Sequence, residues 1–591
     1  MVSQIHIVSP IYTVVFVVLE NVLQSYDLDL NLNLNLSIRK DIFIMNNDIN
    51  IISSIPLSKD DVIKQITDEY LSTIDKYNPP APEEITGTLL AVTKNAFDME
   101  NQFRKTAKWK IPDSLFPSQI ASILLYLFEI VRIAFAGVDE TEEYDMLAIY
   151  QTSGENMGLY STDQEEFIRH IREYNYTINR GGIQEVMSIL RTYAPRVARC
   201  AEPKLVALNN GIFDFDSKTL MPFSPEYIFT AKSRVDYNPY ARNVVIHNDT
   251  DGTDWDVESW IKDLYDDPEL EQLTWELLGA ILRPNVPWNK SAWFISETGN
   301  NGKGTLCSLM RSLTGKGTFA VIPLTMFSKD FMLEPLIKAN AVIVDENSVG
   351  IYIDKADTLK AVITGDMILV NRKYKTPVAF RFRGMIIECV NEVPRVRDRS
   401  ESFMRRFLMV PFRKCFTGHE RKYIKEDYLK RKEVLEYVLY KVMNMDNYEL
   451  SYPSACVEMM REFRLNNDPV SQFIDEVLPQ CQWDFIPYEF LFETYTAWRD
   501  ENCQNSPKLN KHTFLNEVRR VIETSTDWYD TVSSRKVGNK MNATEPLIAK
   551  YHLSNWYNPT YRGTDVEKLC HPIAPANARG FMRKKQDDDS E

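Results

Sequence analysis

The sequence predicts a multidomain α/β protein whose central part is a parallel β-sheet. At 591 residues, the chain is too long for one hydrophobic core, so we expect three or four domains. After two helix-like stretches between residues 255 and 284, an apolar strand, a glycine-rich turn and a helix follow each other. Two more apolar strands come next, one ending in acids and one in an asparagine. This alternation is typical of a parallel sheet that binds ligands at the carboxyl ends of its strands.

The composition limits the classes of partner and the compartment. The formal net charge of -15 argues against a generally basic nucleic-acid coat, so any nucleic-acid contact must come from local basic elements. The eight cysteines are scattered and form no Cys-x-x-Cys pair. This usage predicts free thiols in a cytoplasmic protein and argues against zinc ligation or a disulfide framework.

Residues 1–44 form a leader to which the sequence assigns no function. The apolar run Ile11–Leu19 is shorter than the roughly 18 residues of a membrane span, and no basic segment of a signal peptide precedes it. We therefore expect no membrane association. Leu28–Ser37 alternates strictly and indicates either a strand or low complexity. Because ordinary sequence begins at Met45, the leader is either a loose tail or an over-extended reading frame.

Changes of pattern divide the rest of the chain. The region before residue 240 is predicted to be mostly helical, with Pro117–Phe135 as one apolar helix. Met146–Tyr150 indicates a short strand, and alternation around Asn210-Gly211 predicts a hairpin. The predicted divisions are a helical region (45–240), the α/β core (241–415), a charged helical lid or linker (416–467), a small domain (468–562) and a disordered tail (563–591).

The strongest chemical signal is a candidate phosphate-binding loop. Ala292–Ser296 is an apolar strand, a glycine-rich turn follows, and a helix begins at Lys303. A phosphate chain needs unobstructed backbone N–H groups, a helix N-terminus and a lysine. A lone glycine-rich turn is usually only a turn, but the flanking strand and helix favour nucleotide binding. The predicted ATP-binding residues are Gly299, Asn300, Asn301, Gly302, Lys303, Gly304 and Thr305.

This loop departs twice from the pattern GxxxxGK[ST]. Glu297 stands at the first glycine position, and Gly304 follows the lysine. Thr305, one position later, remains available to hold Mg²⁺ directly or through water.

Two later strands end in residues that suit nucleotide hydrolysis. Asp345 would hold Mg²⁺ through water and Glu346 would polarise the attacking water. A buried strand meeting a solvated acidic turn is the ordinary alternative, but this strand follows the loop by about 40 residues, where a sheet neighbour is expected. Asn391, after the next strand, is placed to sense the γ-phosphate. One of Arg405 and Arg406 is predicted to act as an arginine finger towards a neighbouring subunit, although an arginine pair alone is usually a solvated face.

Between these strands the sequence predicts a basic β-hairpin. Alternating runs flank a tip that contains Arg372, Lys373, Tyr374 and Lys375. Cations and an aromatic ring suit the phosphates and bases of a single strand. An ordinary solvated hairpin is the alternative.

This order of parts resembles the superfamily 3 helicases, in particular the helicase half of phage and plasmid primase-helicases and of poxvirus-type primase-helicases. The resemblance spans about residues 140 to 560. Its most specific piece is Asn391 to Pro394 followed by the arginine pair. The matching motifs are GNNGKGT (299–305), VIVDEN (342–347), TGD (364–366), CVNEVPRVRDRSESFMRRFLMVPF (389–412) and NNGIFDFDSKTLMPFSP (209–225).

The resemblance implies an AAA+ core, a hexameric ring around single-stranded or forked DNA, and ATP-driven unwinding with Mg²⁺. It implies catalytic roles for Lys303, Asp345, Glu346, Asn391 and one of Arg405 and Arg406. It further implies replication of a phage, plasmid or island genome, in the host cytosol or at a viral replication site. The paired acids of a primase are found early only at Asp27 and Asp29, so we expect any primase to be encoded separately.

The small domain resembles the winged-helix module appended to these helicases. Two helices are predicted, with a wing candidate at residues 533–540. Residues 506–562 hold nine Lys and Arg against five Asp and Glu, the reverse of the chain's overall balance. A helical interaction module without DNA contact is the alternative. The candidate contacts to duplex phosphates are Lys511, Arg519, Arg520, Arg535 and Lys536.

Two rival functions fit parts of the pattern. A GKGT loop also occurs in nucleoside monophosphate kinases, but there it lies near the start of the chain. A DNA-binding initiator ATPase that assembles on an origin without processive unwinding differs little from a helicase in sequence. A strand-displacement assay separates the initiator, and phosphate transfer to a monophosphate would reveal the kinase.

Overall fold

The computed structural model describes residues 58–104, 106–296, 298–398, 400–502, 508–523 and 527–584. The predicted leader 1–44, the acid pair Asp27 and Asp29, and Glu297 lie outside these ranges. None of the helices within them is long and apolar enough to cross a membrane.

The chain divides into two compact units, of which the first comprises residues 58–74 and 86–114 among the described ones. Its helix α1 (Lys59–Leu71) begins where Ser58 Oγ accepts from the backbone N–H of Asp61 at 3.1 Å. The second helix, α2, spans Pro82–Phe103. Along α1 the residues Ile63, Ile66 and Tyr70 are buried at intervals of three to four, which is the period of an amphipathic helix.

The second unit comprises residues 75–85 and 115–584 of the described chain and opens with a mixed α/β region. The prediction of a mostly helical region therefore fails beyond residue 129. The predicted helix Pro117–Phe135 ends at Leu127, and β-branched residues then form strand β1, which pairs with β2 and β4. The elements are α3 (Pro117–Leu127), β1 (Ile130–Ala134), β2 (Met146–Tyr150), β3 (Tyr160–Ser161), α4 (Gln164–Tyr174), α5 (Arg180–Tyr193) and β4 (Arg196–Ala198).

Three short strands follow and confirm the hairpin predicted around Asn210-Gly211. Leu208 and Gly211 are register partners at the turn, and β7 continues the antiparallel meander. A small hairpin that the sequence analysis does not predict and two helices that it does predict then lead to the core. These elements are β5 (Leu205–Leu208), β6 (Gly211–Asp214), β7 (Thr219–Met221), β8 (Ile246–Asn248), β9 (Thr253–Trp255), α6 (Val257–Asp263) and α7 (Pro268–Ala280).

The core is a five-stranded sheet in the order β11-β12-β16-β10-β18, and every adjacent pair is parallel. Helices and loops cover both faces, so most strand residues are buried, as expected of a parallel sheet. The elements of this core are β10 (Ser291–Ile295), α8 (Lys303–Thr314), β11 (Phe319–Ala320), β12 (Ala341–Val344), β13 (Tyr352–Ile353), α9 (Asp357–Thr364), β14 (Met367–Arg372), β15 (Lys375–Arg381), β16 (Met385–Val390), β17 (Arg395–Val396), α10 (Glu401–Met404) and β18 (Phe407–Pro411).

The segment predicted as a lid or linker is packed onto the core. Val434, Val438 and Leu439 are buried in the hydrophobic cluster that also contains residues of α7 and α8. Its helices are α11 (Lys422–Glu426), α12 (Lys432–Met443) and α13 (Ser454–Asn467).

The C-terminal domain extends beyond residue 562, where the sequence predicts a disordered tail. The strand formed by Gly580–Arg583 is the central one of a three-stranded sheet, and Cys570 is buried in the domain core. The reason is that β23 pairs with both β19 and β20, which would otherwise stay separate. The elements are α14 (Pro469–Val477), β19 (Phe485–Pro487), α15 (Tyr488–Asn502), α16 (Lys511–Ile522), β20 (Trp528–Asp530), β21 (Arg535–Lys536), α17 (Pro546–Lys550), α18 (Val566–Leu569), β22 (Asn577–Ala578) and β23 (Gly580–Arg583).

Candidate functional site

The candidate site lies at the carboxyl edge of the parallel sheet. Because β10, β12 and β16 run in the same direction, the glycine-rich turn, Asp345 and Asn391 all follow strand ends at that edge. One expectation is wrong in detail. The strand before Asp345 is not the neighbour of the strand before the turn, since β16 lies between them. Asn391 therefore occupies the middle position of the edge.

The glycine-rich turn has the backbone conformation that only a small residue accepts. Gly302 has φ 87°, and a Cβ at this position would come within 2.5 Å of Leu264 Cδ2. The preceding Asn301 accepts a hydrogen bond from the N–H of Lys303 at 3.2 Å, and α8 begins there. The N–H groups of Thr305 and Leu306 donate to the Gly302 carbonyl, so a phosphate bound here would meet the Gly304 N–H and the positive end of the helix.

Lys303 joins two strand ends. Its Nζ donates to the carbonyl oxygens of Ser296 (3.3 Å) and Val390 (3.0 Å) and to Asn391 Oδ1 (2.9 Å). The side chain is buried, and this burial lowers the pKa of Lys303 from its usual value. The three acceptors of the ammonium are all neutral. No carboxylate among them offsets its charge, so it can attract an anion at the same ends of the strands.

The acid Asp345 is ion-paired to a residue that the sequence analysis did not select. Arg311 Nη2 lies 2.7 Å from Asp345 Oδ1 and its Nη1 lies 3.0 Å from Oδ2. This hydrogen bonding, followed by the charge of Arg311, lowers the pKa of Asp345. Besides Lys303, Arg311 is the only charged residue of α8, which was the signal available in the sequence.

Glu346 and Asn347, the two residues after Asp345, differ in burial and in hydrogen bonding. Glu346 is exposed and makes no hydrogen bond or ion pair with the described residues. Asn347 is buried, donates to Glu388 Oε2 at 2.8 Å and to the Cys389 carbonyl at 3.0 Å, and accepts from the Leu324 N–H at 3.1 Å. Asn347 thus fixes the end of β12 to β16, and sequence reasoning missed it.

The oxygen ligands at the carboxyl ends of the strands fit an Mg²⁺ ion whose other ligands are phosphate and water oxygens. Thr305 is half-buried in the first turn of α8, and Asp345 carries an ionised carboxylate. Hydroxyl and carboxylate oxygens are ligands that Mg²⁺ prefers, with substrate phosphates completing its shell. Among the described residues no group of three His, Cys, Asp or Glu could form a cage of protein ligands alone.

A segment after the last strand closes over the glycine-rich turn, and we call residues 415–426 the clasp. The N–H of Phe416 donates to the Asn300 carbonyl at 2.7 Å, and Asn300 Nδ2 donates to Glu420 Oε1 at 2.9 Å. Most of this segment is predicted from the sequence as a lid or linker, without a contact to the turn. Contacts between residues more than a hundred positions apart leave no pattern in the local sequence.

The two candidate finger arginines lie at the amino ends of the strands, at the end of the sheet opposite the glycine-rich turn. They precede β18, whose first residue Phe407 pairs with Ser291 at the start of β10. Arg405 is exposed, and its guanidinium makes no hydrogen bond or ion pair within the described part of the chain. Arg406 is half-buried and donates to the carbonyl and hydroxyl oxygens of Ser402. Only Arg405 is free to reach another molecule.

The basic hairpin is formed by β14 and β15, in antiparallel register from Met367–Arg381 to Arg372–Lys375. Its tip residues Lys373, Tyr374 and Lys375 are exposed, and the Tyr374 side chain is 95% accessible.

Two residues beside the hairpin tip differ from the sequence prediction. Arg372 departs from expectation, because its side chain is only 11% exposed and lies 3.4 Å from Glu334 Oε1 in an ion pair. Phe331, which the sequence analysis missed, is exposed with φ 66° and lines a cavity of about 420 Å³ together with Arg372 and Lys375.

The basic residues of the C-terminal domain fall into two groups. Lys511, Arg519 and Arg520 are paired with the carboxylates of Glu489, Asp530 and Asp468, respectively. These three predicted DNA contacts thus form ion pairs within the domain. Each cation lies on a helix and faces a carboxylate of another, adjacent segment. Arg535 and Lys536 are exposed on β21, the strand of the predicted wing.

The fold is therefore that of a multidomain α/β protein with a parallel sheet. Three family models match separate parts of the chain. Residues 155–274 match a family described as D5 N terminal like, residues 465–555 match one described as poxvirus D5 protein-like, and residues 294–406 match a family of unknown function, DUF5906. The two D5-type matches lie before and after the parallel sheet in the sequence.

Two solved structures are weakly similar to this protein over most of its chain. Two apo structures of the NrS-1 C-terminal region align with 12% and 13% identity and TM-scores of 0.39 and 0.40. They cover 79% and 80% of this chain and 99% and 100% of those chains. No curated protein matches the sequence.

Proposed function

We propose that this protein is an ATP-dependent DNA helicase that replicates a viral, phage or plasmid genome as a ring of identical subunits. The observation that carries the proposal is the position of Lys303, whose ammonium lies between the ends of β10 and β16 beside Asn391. The D5-type family matches support the same class. DNA, in single-stranded or forked form, is the proposed partner, and a hexamer is the proposed assembly.

The proposed reaction is hydrolysis of ATP. A water oxygen attacks the γ-phosphorus, the bond to the β–γ bridging oxygen breaks, and ADP and inorganic phosphate are formed. In this proposal Glu346 orients the water and accepts its proton, because its carboxylate is exposed and unpaired among the described residues. Asn391 orients the γ-phosphate, and Lys303 stabilises the charge on the β- and γ-phosphates. Mg²⁺, held by Thr305 and by Asp345 through water, would neutralise phosphate charge.

The finger role is proposed for Arg405 acting on a neighbouring subunit. The strands of the sheet are parallel, so Arg405 and the phosphate loop lie at opposite ends of β18 and β10. Five residues of strand separate these ends by about 15 Å, which is too far for Arg405 to reach ATP bound to its own chain. A neighbour's ATP is the substrate that this position suits.

The assay that tests the function is strand displacement on a forked DNA, run beside ATP hydrolysis with and without DNA and a mass measurement in solution. Displacement with DNA-stimulated hydrolysis by an oligomer is the expected result. Hydrolysis without displacement would indicate an initiator ATPase, and transfer of phosphate to a nucleoside monophosphate would indicate a kinase. Either outcome contradicts the helicase assignment.

Replacing Lys373 and Lys375 with alanine is expected to abolish strand displacement while ATP hydrolysis without DNA stays close to wild type. The two lysines lie at the exposed tip of the hairpin, far in sequence from the phosphate loop, and they can bind the phosphates of a single strand. The measurement is displacement of a labelled strand beside basal phosphate release.

The control for the hairpin is the Lys329→Ala variant, which removes a lysine from the segment before Phe331. Unwinding should persist in this control. If the hairpin double variant unwinds DNA as the wild type does, the hairpin is not the translocating element.

Replacing Arg535 and Lys536 with alanine is expected to weaken binding of duplex DNA and to lower the slope of log affinity against log salt by about 2. Both residues are exposed and lie on the wing strand β21. The measurement is a titration of the full chain with duplex DNA at several salt concentrations. An unchanged slope would favour the alternative that this domain is an interaction module without DNA contact.

A further inference from the structure

Lys425, in the clasp, lies against the first turn of α8. A methyl group placed on Gly304 would be 3.7 Å from Lys425 Nζ, and Gly304 is the second residue of that helix. The charge of Lys425 also reaches Asp345 and contributes to lowering the pKa of that carboxyl, after the larger effect of Arg311. The ammonium of Lys425 is therefore close to both the phosphate loop and the acidic end of β12.

The position of Lys425 is fixed by its neighbours. Ile424 is buried in the core cluster, and the Tyr423 hydroxyl donates to Asp251 Oδ2 at 2.6 Å. The start of the clasp is held to the glycine-rich turn through the contacts of Phe416 and Glu420 with Asn300. The backbone that leads to Lys425 is thus anchored at several points, while the Lys425 side chain itself is exposed.

Positive groups accumulate at this position. The N-terminus of an α-helix carries about half a positive charge, and Lys303 adds a full charge to the same helix end. Lys425 is exposed and makes no hydrogen bond or ion pair with any residue that the structure describes. Its ammonium is therefore a third positive group beside the phosphate loop, and its side chain can reach a multiply charged anion bound there.

We infer that Lys425 is a second phosphate-binding cation, which contacts the terminal phosphates of a nucleoside triphosphate bound to its own chain. The inference rests on the proposed ATP-binding function and extends it to the recognition of the triphosphate. It also bears on the departure at Gly304. A side chain there would place its Cβ in van der Waals contact with the Lys425 ammonium, at 3.7 Å, and the glycine leaves that side of the ammonium open.

The test is binding of a non-hydrolysable ATP analogue and of ADP to the full-length Lys425→Ala variant, measured by calorimetry. We expect the dissociation constant for the triphosphate to rise about tenfold or more, the scale of one lost charge-assisted hydrogen bond. The constant for ADP should rise less, because the terminal phosphate is absent. Lys425→Arg should restore most of the affinity for the triphosphate. Lys422→Ala, which removes an exposed lysine of the same helix, is the matched control and should bind as the wild type does.

The outcomes separate this inference from the proposed function. If the wild type binds the analogue, Lys303→Ala does not, and Lys425→Ala binds like the wild type, the role of Lys425 is refuted and the ATP site stands. If the wild type itself binds no triphosphate, the proposed function fails. Equal losses for ADP and the analogue, with no rescue by arginine, would show a structural role and overturn the inference.

Discussion

Lys303→Ala is expected to reduce ATP hydrolysis by at least about 100-fold, the scale of removing one preorganised donor from a charged transition state. The Lys303 ammonium is the only group that joins the Ser296 and Val390 carbonyls to Asn391 in this edge of the sheet, among the described residues. Its loss removes the charge that faces the phosphates. The measurement is steady-state phosphate release at saturating ATP.

The fold should survive this substitution, because the three acceptors of Lys303 lie at the sheet edge and water can replace the ammonium there. A thermal melt and the solution mass of the variant check this point. Lys316→Ala, an exposed position just after α8, provides a control with the same change of net charge. Turnover like that of the wild type in a folded Lys303→Ala protein would refute the assignment of the phosphate loop.

Arg405→Ala is expected to reduce ATP hydrolysis by roughly 1,000-fold or more, as for arginine fingers that complete a site in trans. The side chain is exposed and has no described partner, so its removal leaves the packing of the chain unchanged. Arg406→Ala is the matched comparison. Since Arg406 is held by Ser402, we expect a smaller loss of turnover there and a lower melting temperature.

Mixing two inactive variants gives the sharper form of this experiment. Arg405→Ala subunits keep Lys303, and Lys303→Ala subunits keep Arg405, so an interface between the two kinds contains one complete site. Hydrolysis should therefore reappear on mixing. If mixed oligomers form and stay inactive, Arg405 does not act between subunits.

The parts of the site that the sequence predicts are those with a local signal. The glycine-rich turn, the acids after β12, Asn391 and the basic hairpin each combine a chemical residue type with a strand end or a turn. The roles of these residues remain predictions, although the structure brings Lys303 and Asn391 into direct contact. The clasp lacks such a signal, and Arg311 has only its place as the second charged residue of α8, because the significance of both depends on contacts with residues far away in the chain.

The errors of the sequence analysis have the same origin. The run Pro117–Phe135 is mostly apolar along its whole length, so its division into α3 and β1 depends on the partners of β1, which lie up to residue 198. Arg372, Arg519 and Arg520 are predicted as DNA contacts, and each lies in an ion pair with an acid of another element, which the local sequence does not reveal. The last strand, β23, is short and has meaning only between β19 and β20.

The insertion of β16 between β10 and β12 has a consequence for how the chain folds. The strand at the middle of the sheet is made from residues 385–390, after both of its neighbours have been synthesised. Until those residues leave the ribosome, β10 and β12 present unpaired edges that are open to wrong partners. Parallel pairing between distant segments is also slow to form. Nascent chains that stop before residue 385 should therefore aggregate or need a chaperone, and longer ones should become resistant to proteases.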